Sequence, residues 1–265
     1  MTVTCDAFDP TLLAEGVDPE RLTSVAERIK ALHESLLASI AFATLSPVAK
    51  VPAKVYCYKE ALAHRMADLS RAYVRETNAR AFAPSFLLAR ALLEGACHAY
   101  DLAVRVRALV RSGSTAEIPE LDAYLTRLMH GAKADGWRPG TDDPEAINVL
   151  TSLKRATKEL GPGLTKSFED MSEFAHPNAA GVLGGYSNLD TKRHVCHFRS
   201  EPARESSRRV TGHLGAALIG LAVFQTAGAI LDREKGGFVA LCERELFDAG
   251  TWPRQVPYPR QRPRP

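Results

Sequence analysis

A histidine at the end of a predicted helix is the residue best suited to acid/base chemistry. His176 lies in the segment 172–178, Ser-Glu-Phe-Ala-His-Pro-Asn, and the following proline predicts that the helix ends there. The dipole at a helix C-terminus favours a protonated imidazole. Glu173 lies about one turn earlier, and a carboxylate beside a histidine is a general acid/base arrangement. The alternative is structural, with His176 and Asn178 only capping the helix and fixing the loop that follows.

A second set of polar residues forms a stripe along another predicted helix. The stretch 82–106 is almost wholly apolar, and its charged residues and its histidine fall on an arc of about 80° at helical spacing. These residues, called the polar stripe below, are Arg90, Glu94, His98, Asp101 and Arg105. The stripe is either a solvated face with weak i,i+4 ion pairs or an interior strip that meets Glu173 and His176 across a bundle.

The segment 193–197, Arg-His-Val-Cys-His, contains the side chains most suited to binding a metal. On a strand, His194 and Cys196 would share a face while His197 would point away, which leaves at most two ligands. The sequence also has no phosphate loop and no dinucleotide fingerprint. We therefore predict no metal site and no cofactor.

Helical periodicity predicts the elements that position these residues. Apolar residues recur every three or four positions over most of the chain, and proline, glycine and serine mark the ends. Residues 181–199 break this pattern with glycines and turn residues, which predicts a short β-hairpin. The expected fold is mainly α, a bundle of seven or eight helices with one hairpin insertion. The predicted helices are 19–45, 52–78, 84–111, 119–131, 144–160, 164–175, 202–233 and 238–247.

The predicted organisation is one helical domain over 18–250. Residues 1–17 are expected to form an N-terminal lead-in. Residues 251–265 contain five prolines and four arginines without an acid, which predicts a disordered tail. The formal net charge is +3, and residues 1–250 carry nearly equal numbers of basic and acidic side chains. This balance argues against a broad nucleic-acid surface.

Cysteine usage and the N-terminus favour a cytoplasmic location. The five cysteines are scattered and form no C-x-x-C pair, which is typical of a reducing compartment. The first ten residues have neither a basic start nor an apolar run, so we expect no signal peptide.

The segment 214–231 is apolar enough to require a membrane check. It is 18 residues long but rich in alanine and glycine. We expect a buried bundle helix and no membrane association. The small residues of the predicted helix that contains it, Gly212, Ala216, Gly220 and Ala227, predict close packing within the bundle or at a dimer interface.

Two motifs together resemble a known group of proteins. The segment 90–94, Arg-Ala-Leu-Leu-Glu, and the segment 171–178, Met followed by Ser-Glu-Phe-Ala-His-Pro-Asn, resemble uncharacterised bacterial helical proteins of the HEPN-like superfamily. The resemblance covers roughly residues 55–232. It implies a helical bundle, often a dimer, with links to RNA cleavage, toxin–antitoxin pairs or phage defence. It also implies that the functional residues are Arg90, Glu94, Ser172, Glu173, His176 and Asn178.

HEPN ribonucleases place an arginine, then four to six residues, then the histidine. Upstream of His176 the corresponding positions 169–171 hold Glu, Asp and Met. We therefore expect a regulatory, structural or interaction module with an internal polar cluster, and a homo-oligomer. The alternative is an enzyme directed at RNA or a nucleotide, with His176 as acid/base and Arg90 steadying phosphate.

The sequence leaves open whether the chain is an enzyme at all. The candidate catalytic residues are His176, Glu173, Arg90 and Glu94, and the candidate ligand-binding residues are Ser172, Asn178 and His98.

Overall fold

Helices form most of the chain that the structure describes. The structure is a computed structural model, and it describes residues 7–132, 144–198 and 207–252. These ranges contain ten α-helices, one π-helical turn and one two-stranded antiparallel hairpin. The predicted mainly α fold with one short hairpin is confirmed.

The elements follow in chain order, and seven of the helices have at least 12 residues. They are α1 (Thr11–Ala14), α2 (Pro19–Glu34), α3 (Phe42–Leu45), α4 (Lys50–Asn78), α5 (Phe82–Ser112), α6 (Ile118–His130), α7 (Val149–Leu160), α8 (Gly163–Ala175), the π-helical turn Ala179–Leu183, α9 (Gly184–Tyr186), β1 (Ser187–Asp190), β2 (Val195–Phe198) and α10 (Ser207–Asp248).

The helix predicted over 19–45 is shorter than expected. It ends at Glu34, and the chain continues without helix until α3. The hydroxyl of Ser35 donates to the carbonyl of Leu32 at 2.8 Å. Such a side-chain bond competes with the next helical turn, which apolar spacing alone would have continued.

The helix predicted to begin at Pro144 begins instead at Val149. Asn148 caps it, because its Oδ1 accepts from the backbone N–H of Leu150 at 3.0 Å. The carbonyl of Pro144 meanwhile accepts from the N–H of Ala132 at 3.0 Å. The backbone hydrogen bond between Pro144 and Ala132 therefore takes the place of the first expected helical turn.

The break predicted at positions 236 and 237 does not occur, since α10 continues through both glycines to Asp248. A Cβ atom added at Gly237 would lie 2.9 Å from Cγ1 of Val110. The glycine therefore permits a close approach to α5 without ending the helix. The predicted start of this helix near 202 lies outside the described residues.

The hairpin is shorter than the predicted 181–199. Its first predicted residues are helical, because Oδ1 of Asn178 accepts from the N–H of Gly181 at 2.9 Å and caps the π-helical turn. The strands pair in register, with Leu189 opposite Cys196 and Ser187 opposite Phe198. Position 199 lies outside the described residues.

The polypeptide folds into two compact units, each built from three separate stretches of the chain. Unit 1 comprises the described parts of Met1–Leu36, Ala63–Cys97 and Leu153–Gln225, and unit 2 those of Leu37–Leu62, His98–Ser152 and Thr226–Pro265. Each unit has its own buried core. The largest fully buried side chains of unit 1 are Leu12, Ile29, Met66, Tyr73, Phe82, Phe86, Leu92, Leu93 and Leu214, and those of unit 2 are Leu102, Leu125 and Phe238.

The small residues of α10 pack closely within unit 1. Gly220 is buried, and a Cβ atom there would lie 3.1 Å from the carbonyl carbon of Leu92. Ala216 is buried on the same helix, whereas Gly212 is exposed with nothing near its Cβ position. The predicted close packing within the bundle is therefore confirmed at Gly220.

The predicted domain boundaries remain predictions. In the lead-in, Leu12 and Val17 are buried. The predicted disordered tail lies outside the described residues from position 253 onward.

Candidate functional site: two polar clusters on α5

The imidazole of His176 is exposed at the C-terminus of α8. Its backbone N–H donates to the carbonyl of Ser172 at 3.0 Å and closes the last turn. Within the described ranges the imidazole itself makes no hydrogen bond and no ion pair. A general base is normally oriented by a second group, and the described residues around His176 supply none.

The polar neighbours of His176 bind locally. Nδ2 of Asn178 donates to Oε2 of Glu173 at 2.8 Å, while its Oδ1 caps the π-helical turn. The hydroxyl of Ser172 donates to the carbonyl of Phe168 at 2.7 Å. These bonds hold the end of α8 and the start of the next segment, as the structural alternative for Asn178 expects.

Arg90 and Glu94 pair with each other in unit 1. Nε of Arg90 lies 3.2 Å from Oε1 of Glu94, an ion pair whose angle is not that of a hydrogen bond. The guanidinium carbon of Arg90 lies 5.1 Å from the ring centroid of Phe168, a cation–π contact with α8. Within the described part of the chain, neither Arg90 nor Glu94 forms a hydrogen bond or ion pair with His176 or Glu173.

The remaining stripe residues build a polar cluster in unit 2 around Asp101. This carboxylate has an exposed fraction of 0%. Its Oδ1 accepts from Nε of Arg105 at 3.2 Å. Its Oδ2 accepts from the hydroxyls of Tyr124 at 2.9 Å and Ser152 at 3.2 Å. A buried carboxylate is tolerated only with such partners, so α6 and α7 are fixed against α5 here.

His98 extends this cluster by one residue. Its Nδ1 lies 3.1 Å from the hydroxyl of Ser152, which is itself fully buried. The hydrogen-bonded chain therefore runs from His98 through Ser152 to Asp101. In a catalytic triad the imidazole lies between the serine and the carboxylate and removes the serine proton. Here Ser152 lies between His98 and Asp101, so the geometry connects helices and does not activate a nucleophile.

Tyr124 donates through a phenol that stays neutral. Burial and the Asp101 carboxylate raise the pKa of Tyr124 well above its usual value. The guanidinium carbon of Arg105 lies 4.0 Å from the centroid of the same ring. Arg105 and Tyr124 therefore stack on each other while both contact Asp101.

The sequence did not identify Ser152 or Tyr124 as part of the site. Tyr124 falls on the same helix face as the apolar residues Leu121 and Leu125, so the sequence could have predicted that its ring is buried. The sequence could not have predicted that its hydroxyl donates to Asp101. Ser152 directly precedes the buried Leu153, and no motif or spacing in the sequence indicates that its hydroxyl belongs to a polar cluster.

A second buried polar contact was also missed. In unit 1 the hydroxyl of Tyr73 lies 2.6 Å from Nδ1 of His213, and both side chains are buried. The imidazole meets the ring of Phe86 edge to face, with centroids 5.3 Å apart. His213 therefore belongs to the core.

Comparison with known proteins does not assign a role to these clusters. The chain matches no family model, no curated protein and no solved structure. The HEPN-like resemblance stays a prediction.

Two further features bear on metals and membranes. Within residues 7–132, 144–198 and 207–252, no group of three or more His, Cys, Asp or Glu side chains is placed to hold a metal ion.

Among the same residues, α10 is the one helix long and apolar enough to span a membrane, and 56% of its most apolar window is buried. A core helix passes the same test, so this finding is weak evidence on membrane association.

Proposed function

We propose that this chain is a non-catalytic helical interaction module in which the polar stripe stabilises the fold. The observation that carries the proposal is the saturation of Asp101, since both carboxylate oxygens accept from buried or half-buried partners. A carboxylate held in this way has no lone pair directed to solvent. The cluster therefore supports a structural role better than proton transfer.

The alternative, an enzyme directed at RNA or a nucleotide, is favoured by one observation. The imidazole of His176 is exposed, so it is accessible to a substrate. It lacks an orienting partner among the described residues, and Arg90 is engaged with Glu94 and Phe168. The alternative thus requires a rearrangement that brings these groups together.

The proposed interaction surface is the hairpin. Residues directly opposite on paired strands share a face, so Leu189, Cys196 and Phe198 lie on one side with Ser187. Phe198 is 78% exposed and Leu189 is 64% exposed. A two-stranded hairpin with an open apolar face is marginally stable in water, and covering that face stabilises it.

We propose a second copy of the chain as the occupant of this face. The face has no charged side chain, so two copies meet across a two-fold axis without like-charge repulsion. The opposite face carries Asn188, Asp190 and His197 together with Val195, so it is the more polar of the two faces. The interaction that this module makes is then self-association through the hairpin.

One set of variants tests the structural role against the catalytic one. Asp101→Asn and Ser152→Ala should lower the melting temperature, because each leaves buried polar atoms with poorer partners. His176→Ala should leave the melting temperature, RNA cleavage by the purified protein and growth of expressing cells unchanged. Loss of a cleavage or toxicity signal in His176→Ala with an unchanged melting temperature would establish the enzyme instead.

A second set tests the interaction surface by sedimentation. Leu189→Asp and Phe198→Asp should shift the protein toward monomer. Leu150→Asp is the matched control, since Leu150 is 55% exposed in unit 2 and lies outside the hairpin. Equal sedimentation of all three variants and the parent would refute the proposed dimer.

A further inference from the structure

Unit 2 contains a cavity of about 480 Å³ beside α3, the start of α4 and the end of α6. This volume lies in the range of small-molecule sites, and most of the wall is apolar. The residues that line it include Phe42, Val48, Ala53, Cys57, Met129 and Lys50.

The mouth of the cavity exposes large apolar side chains. Phe42 is 58% exposed and Met129 is 38% exposed, and both line the same space. An apolar chain that entered the cavity would remove both surfaces from water, which is favourable roughly in proportion to the area covered.

Polar contacts fix the walls in place before any ligand enters. The hydroxyl of Ser46 donates to Oε1 of Glu243 at 2.9 Å and accepts from the N–H of Ala49 at the same distance. Lys54 forms an ion pair with Asp122 at 2.6 Å, which joins α4 to α6. A preformed cavity costs a ligand little ordering free energy.

Among the described residues that line the cavity, one positive charge makes no ion pair. Lys54 is neutralised by Asp122, whereas Lys50 is exposed and makes no ion pair within the described part of the chain. Lys50 lines the cavity at the start of α4. An apolar space with one cation at its edge is complementary to an anionic head on an apolar tail.

We propose that this cavity binds a single monomeric fatty-acid anion, with its alkyl chain against Phe42 and Met129 and its carboxylate at Lys50. None of the residues that line this cavity belongs to the hairpin face or to the Asp101 cluster. The cavity has the volume of a small-molecule site, which distinguishes the proposal from adsorption to a lipid surface.

The test uses Cys57 as an internal reporter. In the full-length chain with Cys5→Ser and Cys196→Ser, Cys57 is the half-exposed thiol, while Cys97 and Cys242 are buried. Its modification by N-ethylmaleimide is followed by mass spectrometry in the presence of one of three additives. These are dodecanoate or dodecyltrimethylammonium, each below its micellar concentration, or dodecan-1-ol below its solubility limit. We expect dodecanoate to slow the reaction at least tenfold and dodecyltrimethylammonium to leave it unchanged.

Calorimetry on variants locates the two parts of the ligand. Lys50→Gln should weaken dodecanoate binding at least fivefold without changing the binding of dodecan-1-ol. Lys154→Gln, at an exposed lysine of unit 1, is the matched control and should bind dodecanoate as the parent does. Ala53→Trp should fill the cavity and abolish binding, with thermal melting used to show that the variant is folded.

Three results would overturn the proposal. They are equal protection of Cys57 by the cationic and anionic amphiphiles, unchanged dodecanoate affinity in Lys50→Gln, or binding to phosphatidylglycerol vesicles without saturable binding of monomeric dodecanoate. The headgroup comparison uses the protein with Cys57 and Lys50 intact, so it decides the question even if Ala53→Trp does not fold.

Discussion

Tyr124 donates a 2.9 Å hydrogen bond to the buried carboxylate of Asp101, a residue 23 positions earlier in the chain. This bond joins α6 to α5 inside unit 2 and places the Tyr124 ring under the guanidinium of Arg105. Through this contact the part of the polar stripe around Asp101 is buried in the core of unit 2.

Tyr124→Phe should destabilise the protein by about 1–3 kcal/mol, because Asp101 loses one of its buried donors. Urea denaturation followed by circular dichroism measures the change. Tyr186→Phe is the matched control, since that half-buried ring has no hydroxyl hydrogen bond within the described residues. Its effect should stay below about 0.5 kcal/mol. Equal effects of the two variants would contradict the assigned role of Asp101.

Alkaline pH should weaken the folded state through buried tyrosines. Burial and Asp101 raise the pKa of Tyr124, while burial, Asp232 and Glu234 raise that of Tyr56. In the unfolded chain a tyrosine ionises near pH ~10, whereas these two stay neutral in the folded state. Their stabilisation is thus complete below pH ~10 and is lost as pH rises beyond the unfolded value.

The measurement is the free energy of unfolding between neutral pH and about pH 11. The parent should lose stability more steeply above pH ~10 than Tyr124→Phe or Tyr56→Phe does. Below that pH the difference between parent and variant should be constant. A parent and a Tyr124→Phe variant with the same slope above pH ~10 would show that Tyr124 ionises normally in the folded protein.

Two glycines of α10 should respond oppositely to the same substitution. Gly220→Val places a side chain against the Leu92 backbone and should cost about 1–3 kcal/mol through overpacking. Gly212→Val enters open space, where a small gain in helix propensity leaves stability within about 0.5 kcal/mol of the parent. Thermal melting compares them, and a harmless Gly220→Val would refute the close helix contact.

Thiol reactivity should separate the cysteines by burial. Burial raises the pKa of Cys242 to about 12, with Glu245 and Glu243 adding to the effect, while Cys196 is exposed on the hairpin. In a Cys5→Ser background at mildly alkaline pH, a disulfide reagent should label Cys196 first and Cys242 only on unfolding. Adding Cys196→Ser should remove the fast phase. Rapid labelling of Cys242 in the folded protein would contradict its burial.

The local pattern of the sequence determined most of the helices and the placement of the polar stripe on one of them. Periodicity, prolines and caps are short-range properties, so α5, α6 and α8 lie close to their predicted bounds. The early end of α2 came from a local bond, that of the Ser35 hydroxyl to the carbonyl of Leu32, whereas the missing break at positions 236 and 237 depended on a distant residue. Gly237 stays helical because it packs on Val110, a neighbour that local propensity does not reveal.

The partners of the stripe were decided by tertiary structure alone. Helical spacing placed Asp101 and Arg105 on one face, but it did not choose between solvent, His176 and the helices that follow. The choice fell on Tyr124 and Ser152, which lie 23 and 51 positions from Asp101. A buried carboxylate takes whichever donors the packing of apolar faces brings within reach, and that packing depends on the whole chain.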